Sequence, residues 1–200
     1  MIEGPGHVPL HGAPKEAEET VEAHERSSIS ARVVHKAVLE EGEEELERPT
    51  SALAWSGLAA GLSMGFSFAA EGVLHEHLPP ATWRPLIATL GYTIGFILVV
   101  IGRQQLFTEN TLTAVLPVLK HRTGSVLVNM FRLWAVVLVA NLVGAALFAL
   151  FLATTPVADP PLHHALTQIA REAIEPTALE LFVKAIPAGW LIALMEWLGP

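Results

Sequence analysis

The chain has no cysteine and a single tyrosine among its 200 residues, and only 16% of them are charged. The missing thiols exclude disulfides, thiolate metal sites and a cysteine nucleophile, and they leave the redox compartment open. The shortage of charge is the larger departure, because a soluble chain carries about 25% Asp, Glu, Lys and Arg. It is also uneven: acidic residues crowd positions 1–50, whereas 51–200 contains long runs with almost no charge. The net charge of −8 therefore describes a solvated tail and gives no reason to expect a nucleic-acid partner. Residues 1–26 hold no apolar run that would serve as a cleavable signal peptide. Gly-rich phosphate loops, G-x-S-x-G elbows and zinc-hydrolase signatures are missing too, so neither an enzyme nor a cofactor is expected. The nine histidines include His75-Glu76-His77 and His163-His164, but no third ligand stands at a metal-site spacing and no metal is expected.

What is present is membrane-like. Residues 1–26, rich in Gly, Pro, His and Glu, are expected to form a disordered cytoplasmic tail. Over 27–48, Ile29, Val33, Val34, Ala37, Val38 and Leu46 recur at helical spacing beside Arg32, Lys36 and Glu40 to Glu45. That pattern predicts an amphipathic helix, packed under the protein or laid on the membrane surface. Residues 51–200 read as the transmembrane domain, with spans at about 51–70, 86–119, 126–153 and 177–198. In the first span Gly57, Gly61 and Gly65 fall four apart, a stripe that admits a second helix closely. Asn141 and Gly144 stand inside the third span, and Pro187 is expected to kink the fourth. Lys120, Arg122 and Arg132, with Arg32, Lys36 and Arg48, place the N-terminus in the cytoplasm. Pro200 follows directly on a membrane helix, and a piece of a longer protein is expected.

The second apolar region is too long for one span and is broken at 102–110, by Gly102-Arg103-Gln104-Gln105 and then Thr108-Glu109-Asn110. Two short apolar pieces around a polar break point to a discontinuous helix lining a path. A span that ends at Ile101, with a cytoplasmic loop and a surface helix after it, fits the spacing as well. Glu109 is costly at membrane depth, and Arg103 is its nearest cation in sequence. Were Thr108 to cap the following half-helix, Glu109 would sit in a first turn whose N–H groups favour anions. Glu180 and Lys184 stand in the better order for an intrahelical pair.

The run Gln105-Leu106-Phe107-Thr108-Glu109-Asn110-Thr111-Leu112-Thr113 resembles the formate/nitrite transporter family, which has a Leu-Phe-Thr loop inside its second helix. Asn141-Leu142-Val143-Gly144-Ala145 and Glu180 through Trp197 are similar as well. The stretches 43–65, 91–96 and 189–193 most resemble the YfdC-type inner-membrane branch. The resemblance implies an all-α, polytopic helical bundle of aquaporin-like fold, here with four of six spans. It implies a homopentamer with one pore per protomer in a bacterial inner membrane, passing a small monovalent anion or its acid. By position, Leu106 and Phe107 would form the inner constriction with Phe96 facing them. Tyr92 would stand at the outer constriction, Thr108 near the central site with Glu109 beside it, and Glu180 would match a fourth-helix glutamate. The family's central histidine belongs to a fifth helix outside these residues. A non-transporting membrane scaffold or regulatory subunit is the alternative.

Overall fold

The computed structural model describes residues 31–198. The tail expected over 1–26, and the start of the amphipathic helix at Ser27, lie outside them. Every regular element among the described residues is helical. Helix α1 covers Ala31–Glu47, and Pro49 separates it from α2, Thr50–His77. The second apolar region is α3 (Arg84–Ala88), a 3-10 turn (Thr89–Tyr92) and α4 (Thr93–Ile101). After the break come α5 (Asn110–Thr113) and α6 (Val115–His121), then α7 (Gly124–Thr154), α8 (Pro160–Ile174) and α9 (Ala178–Leu198). Four stretches are long and apolar enough to cross a membrane: Thr50–His77, Arg84–Ile101, Gly124–Thr154 and Ala178–Leu198.

The first of these runs on past residue 70, where the apolar run stops. A charge at Glu71 ends the hydropathy signal without ending the hydrogen-bonded helix, which stops only before Pro79 and Pro80. Its last turns are covered by α8, whose Leu166 lies against Gly72. Asp159 caps α8 by accepting from the Leu162 N–H at 3.1 Å.

Helix α2 is the centre of the bundle, with α7 on one face and α3–α4 on another. Without a hydrophobic drive between helices in lipid, close backbone approach has to supply the attraction. A methyl at Gly57 would stand 2.9 Å from the Ala140 Cβ, and one at Gly144 2.5 Å from the Leu58 carbonyl oxygen. Methyls at Gly61 and Gly65 would run into the Asn141 carbonyl and the Phe148 ring. On the other face, a methyl at Gly91 would lie 2.7 Å from the backbone between Ala70 and Glu71. There the fully buried Ser67 hydroxyl donates to the Tyr92 carbonyl and accepts from the Gly95 N–H at 3.0 Å. Ser67 thereby satisfies backbone groups where the 3-10 turn passes into α4, an irregularity that lipid alone would not tolerate.

Helix α1 packs beneath this bundle against α5, α6 and α7. Its buried stripe is Val38, Leu39, Gly42 and Leu46, which includes the expected Val38 and Leu46; the expected Val34 and Ala37 are half-buried, and Val33 is 57% exposed. A methyl at Gly42 would meet the Thr113 carbonyl and the Pro117 ring, so the glycine lets α1 approach closely here. Arg132 of α7 locks the far end of α1, donating to the carbonyls of Leu46 (2.8 Å) and Arg48 (3.1 Å). A cation on the last carbonyls of a helix also suits its dipole.

Glu43 accepts from Lys120 at 2.8 Å and pairs with His121 at 2.6 Å, joining α1 to the end of α6. These hydrogen bonds, Lys120 first and His121 second, hold its carboxyl below the ordinary glutamate range. A depressed folded value means stability present above the ordinary glutamate pKa and lost as the pH falls through the depressed one. Protection of the α1 amides, taken relative to their intrinsic exchange rates, is therefore expected to fall as the pH drops below the ordinary glutamate range, and Glu43→Gln to flatten that response; an unchanged acid response in the variant would contradict this.

Helix α9 begins with a reciprocal cap and not with the expected ion pair. The Glu180 carboxylate accepts from the Thr177 N–H (2.7 Å) and hydroxyl (2.9 Å), and no salt bridge joins it to Lys184. A carboxylate on free N–H groups three residues back has less side-chain freedom to surrender than a pair of long flexible chains. None of the described residues of α9 is buried. Its end touches α1, the rings of Trp197 and His35 lying 6.3 Å apart edge to face.

Candidate functional site

Between α4 and α5 the chain unwinds over 102–109, with Gly102, Arg103 and Thr108 exposed and Gln105 and Leu106 buried in the bundle. The stop signal for α4 is Gly102, yet the left-handed residue is Arg103, at φ 45°. The Gln104 N–H returns to the Val99 carbonyl (3.0 Å) and the Arg103 N–H to that of Val100 (3.2 Å). That pair of bonds is a Schellman ending, which normally has glycine at the left-handed position. Arginine there costs about 1 kcal/mol, which the bonds of the following residues offset.

Those bonds come from two long helices. The Gln105 N–H donates to the Ser56 hydroxyl at 3.0 Å. The Asn141 carboxamide donates to the carbonyls of Gln105 (2.9 Å) and Gly57 (2.8 Å), and its oxygen accepts from the Phe107 N–H at 2.9 Å. Within the segment the Gln105 side-chain oxygen accepts from the Asn110 amide at 2.9 Å, and Trp134 donates to the Asn110 carbonyl at 3.1 Å. Gln105 and Asn110 are 7% and 5% exposed. Ser56 and Gly57 stand about 10 Å along α2 from Thr50, taking about 1.5 Å per residue. Irregular backbone is thus satisfied by protein groups of two long helices, the condition under which such backbone survives in a membrane protein.

The two apolar side chains of the segment go opposite ways. Leu106, 8% exposed, joins Ala60 and Val99, with Phe96 and Met64 packed beside them. Tyr92 continues this line one turn further along, its ring 5.8 Å from that of Phe96. Phe107 instead lies edge to face with Trp134 at 6.3 Å, in the separate cluster around Leu53, Met130 and Leu133. The structure brings Leu106 and Phe96 together and places Phe107 behind them, against α7.

Thr108 is exposed, and it does not cap the second half-helix: its carbonyl accepts from the Thr111 hydroxyl at 2.7 Å, and Glu109 occupies the capping position without a side-chain bond. That half is not one helix either. Pro117 has no N–H for the Thr113 carbonyl, so α5 and α6 meet at a joint at Ala114. A four-residue turn offers no sustained dipole to an anion. Arg103 does not reach Glu109: among the described residues it forms no salt bridge, and one buried Glu109 oxygen has no hydrogen-bond partner. The left-handed turn at Arg103 carries that side chain outward, where it is exposed.

Glu45 of α1 reaches the segment from below. Burial raises its carboxyl above the ordinary range, opposed by hydrogen bonds from Arg48 and Gln105. Sequence spacing gave no hint of Ser56, Ser67 or Trp134, which lie far from 102–109 along the chain. The one available signal is general: a serine or an indole N–H in an apolar helix needs a partner.

A family model described as Formate/nitrite transporter matches residues 32–200. The chain belongs to the formate/nitrite transporter family. It is 41% identical to the inner membrane protein YfdC of Escherichia coli strain K12 over 194 residues, covering 96% of this chain and 63% of that protein. It is 30% identical to a probable formate transporter of Methanothermobacter thermautotrophicus over 136 residues, 60% of this chain and 49% of that one. It is also 30% identical to formate-nitrite transporter 3 of Toxoplasma gondii over 119 residues, 58% of this chain and 23% of that one. The chain therefore spans less than two thirds of the length of each of these relatives. Among the described residues no group of three His, Cys, Asp or Glu could hold a metal ion.

Proposed function

We propose that this family member conducts small monovalent anions, or their neutral acids, across a bacterial inner membrane, with the N-terminus on the cytoplasmic side. The observation that supports this most is the unwound segment 102–109, tied into the bundle by Ser56 and Asn141. A solvated connection after Ile101 would need no such partners, whereas here side chains of two long helices satisfy the backbone of Gln105 and Phe107. Leu106 and Phe96 form the narrow apolar part of the path, Tyr92 stands at its outer end and Thr108 offers a hydroxyl beyond it. An apolar constriction strips water and excludes bulky solutes, while the hydroxyl bonds a dehydrated species. Glu109 disfavours a bare anion, so passage as the neutral acid, or with a proton, suits the site best. The apolar outer faces of α7 and α9 fit lipid and neighbouring copies in a homopentamer, each copy keeping its own path.

Uptake into proteoliposomes tests this. Formate, nitrite or acetate is expected to enter faster than in protein-free vesicles, and faster still with an inward proton gradient. No movement of any of them, with the protein folded and inserted, would overturn the transport reading and leave a scaffold.

A further inference from the structure

On the transport reading above, we infer that Asn141 is the positioning residue that sets Leu106 in the path. Its two loop partners, the Gln105 carbonyl and the Phe107 N–H, are the backbone groups on either side of Leu106. One carboxamide thus holds the backbone on both sides of Leu106, one donor and one acceptor side by side. The second amide hydrogen goes to the Gly57 carbonyl, so both donors and the oxygen are engaged. The orientation of the amide follows from these partners, because a flipped group would set its oxygen against two carbonyls. Glutamine is too long for this place, since Gly61 brings α2 against the Asn141 backbone. Aspartate has the shape without the donors. The partners are all backbone groups, so nothing titrates at this contact in the native protein. Leu106 is fixed from behind by its backbone and needs no side-chain anchor of its own, which leaves its side chain to face Phe96.

Asn141→Asp converts that contact into a pH-dependent one. The carboxylate still accepts from the Phe107 N–H but repels the Gln105 and Gly57 carbonyls; once protonated, its O–H again donates to one of them. Hydrogen exchange on the protein in lipid nanodiscs reads the resulting loosening of the loop, as protection of the Phe107 amide, which donates to Asn141, and of the Gln105 amide, which donates to Ser56, relative to their intrinsic rates at each pH. In the wild type, protection is expected to be independent of pH. In Asn141→Asp it is expected to fall about tenfold or more at neutral pH, from the loss of two hydrogen bonds, and to recover in part in acid. Flux in proteoliposomes follows the same profile, with discrimination against larger monocarboxylates lost at neutral pH and regained in acid. Should Asn141→Asp not assemble, Asn141→Ser, whose hydroxyl falls short of the loop, is expected to lose protection at every pH. Wild-type protection in whichever variant assembles would overturn the assignment, whatever the flux does. Wild-type protein that carries no solute, with exchange behaving as described, would instead sink the transport reading and leave Asn141 as the tether.

Discussion

Gly61→Val is expected to separate the two central helices. The added carbons would enter the Asn141 carbonyl and come within 3.0 Å of the Ala145 nitrogen, and both are backbone atoms that no rotamer change can move aside. Overpacking usually costs about 1–3 kcal/mol, and a backbone clash between two long helices belongs at the upper end of that range or beyond. Displacing α7 would also withdraw Asn141 from Gln105 and Phe107, so the loss of packing and of the loop contacts should come together. Gly189 in α9 is the control, because a methyl there meets nothing within 4 Å. Gly189→Ala should keep or slightly raise stability, alanine being the better helix former. Thermal unfolding in detergent checks both; equal midpoints for Gly61→Val and wild type would mean that α2 and α7 are not in this contact.

Leu106→Ala is expected to change which solutes pass more than it changes stability. Truncation removes most of the side chain that fills the space between Phe96 and Val99, while the backbone bonds to Ser56 and Asn141 remain. A hydrophobic filter discriminates by about tenfold or more per added methylene. Acetate and propionate should therefore gain on formate by about that factor in proteoliposome uptake. Phe107→Ala should do the reverse. Its ring packs on Trp134 away from Phe96, so its loss is expected to lower stability by about 2–3 kcal/mol, the figure for a large buried aromatic reduced for partial exposure. Its solute selection should shift less. A larger shift in selection for Phe107→Ala than for Leu106→Ala would reverse the roles assigned to the two side chains.

The helical membrane bundle and its family are legible in the sequence because they depend on local quantities. Apolar run length and the absence of charge identify spans in lipid, where no alternative to a helix exists for an isolated segment. The polar break at 102–110 is legible for the same reason: Gly102, Arg103 and Glu109 interrupt a run that is otherwise too long. What the segment binds is not local. Asn141 stands 34 residues from Phe107 and Ser56 stands 49 from Gln105, and no periodicity connects them. The nearest-neighbour guesses about charge went astray on similar grounds. Arg103 adopts a left-handed backbone and turns away from Glu109, and Glu180 finds the Thr177 N–H before it finds Lys184. Proximity along the chain supplied candidates, and backbone direction decided among them. Thr108 does not cap the second half because the helix starts at Asn110 with Glu109 in the capping position, and Pro117, four residues beyond Thr113, divides that half again at Ala114.

The absence of cysteine makes the central claim directly measurable, since one introduced thiol has no background. Leu106→Cys and Thr123→Cys, the latter in the exposed turn between α6 and α7, would each be treated with a membrane-impermeant maleimide from the α1 side. With Gln105 and Leu106 held inside the bundle, Cys at 106 should react at least about tenfold more slowly than Cys at 123, because a buried site reacts only through local opening. Equal rates at the two positions would place the segment in open solution and contradict the account.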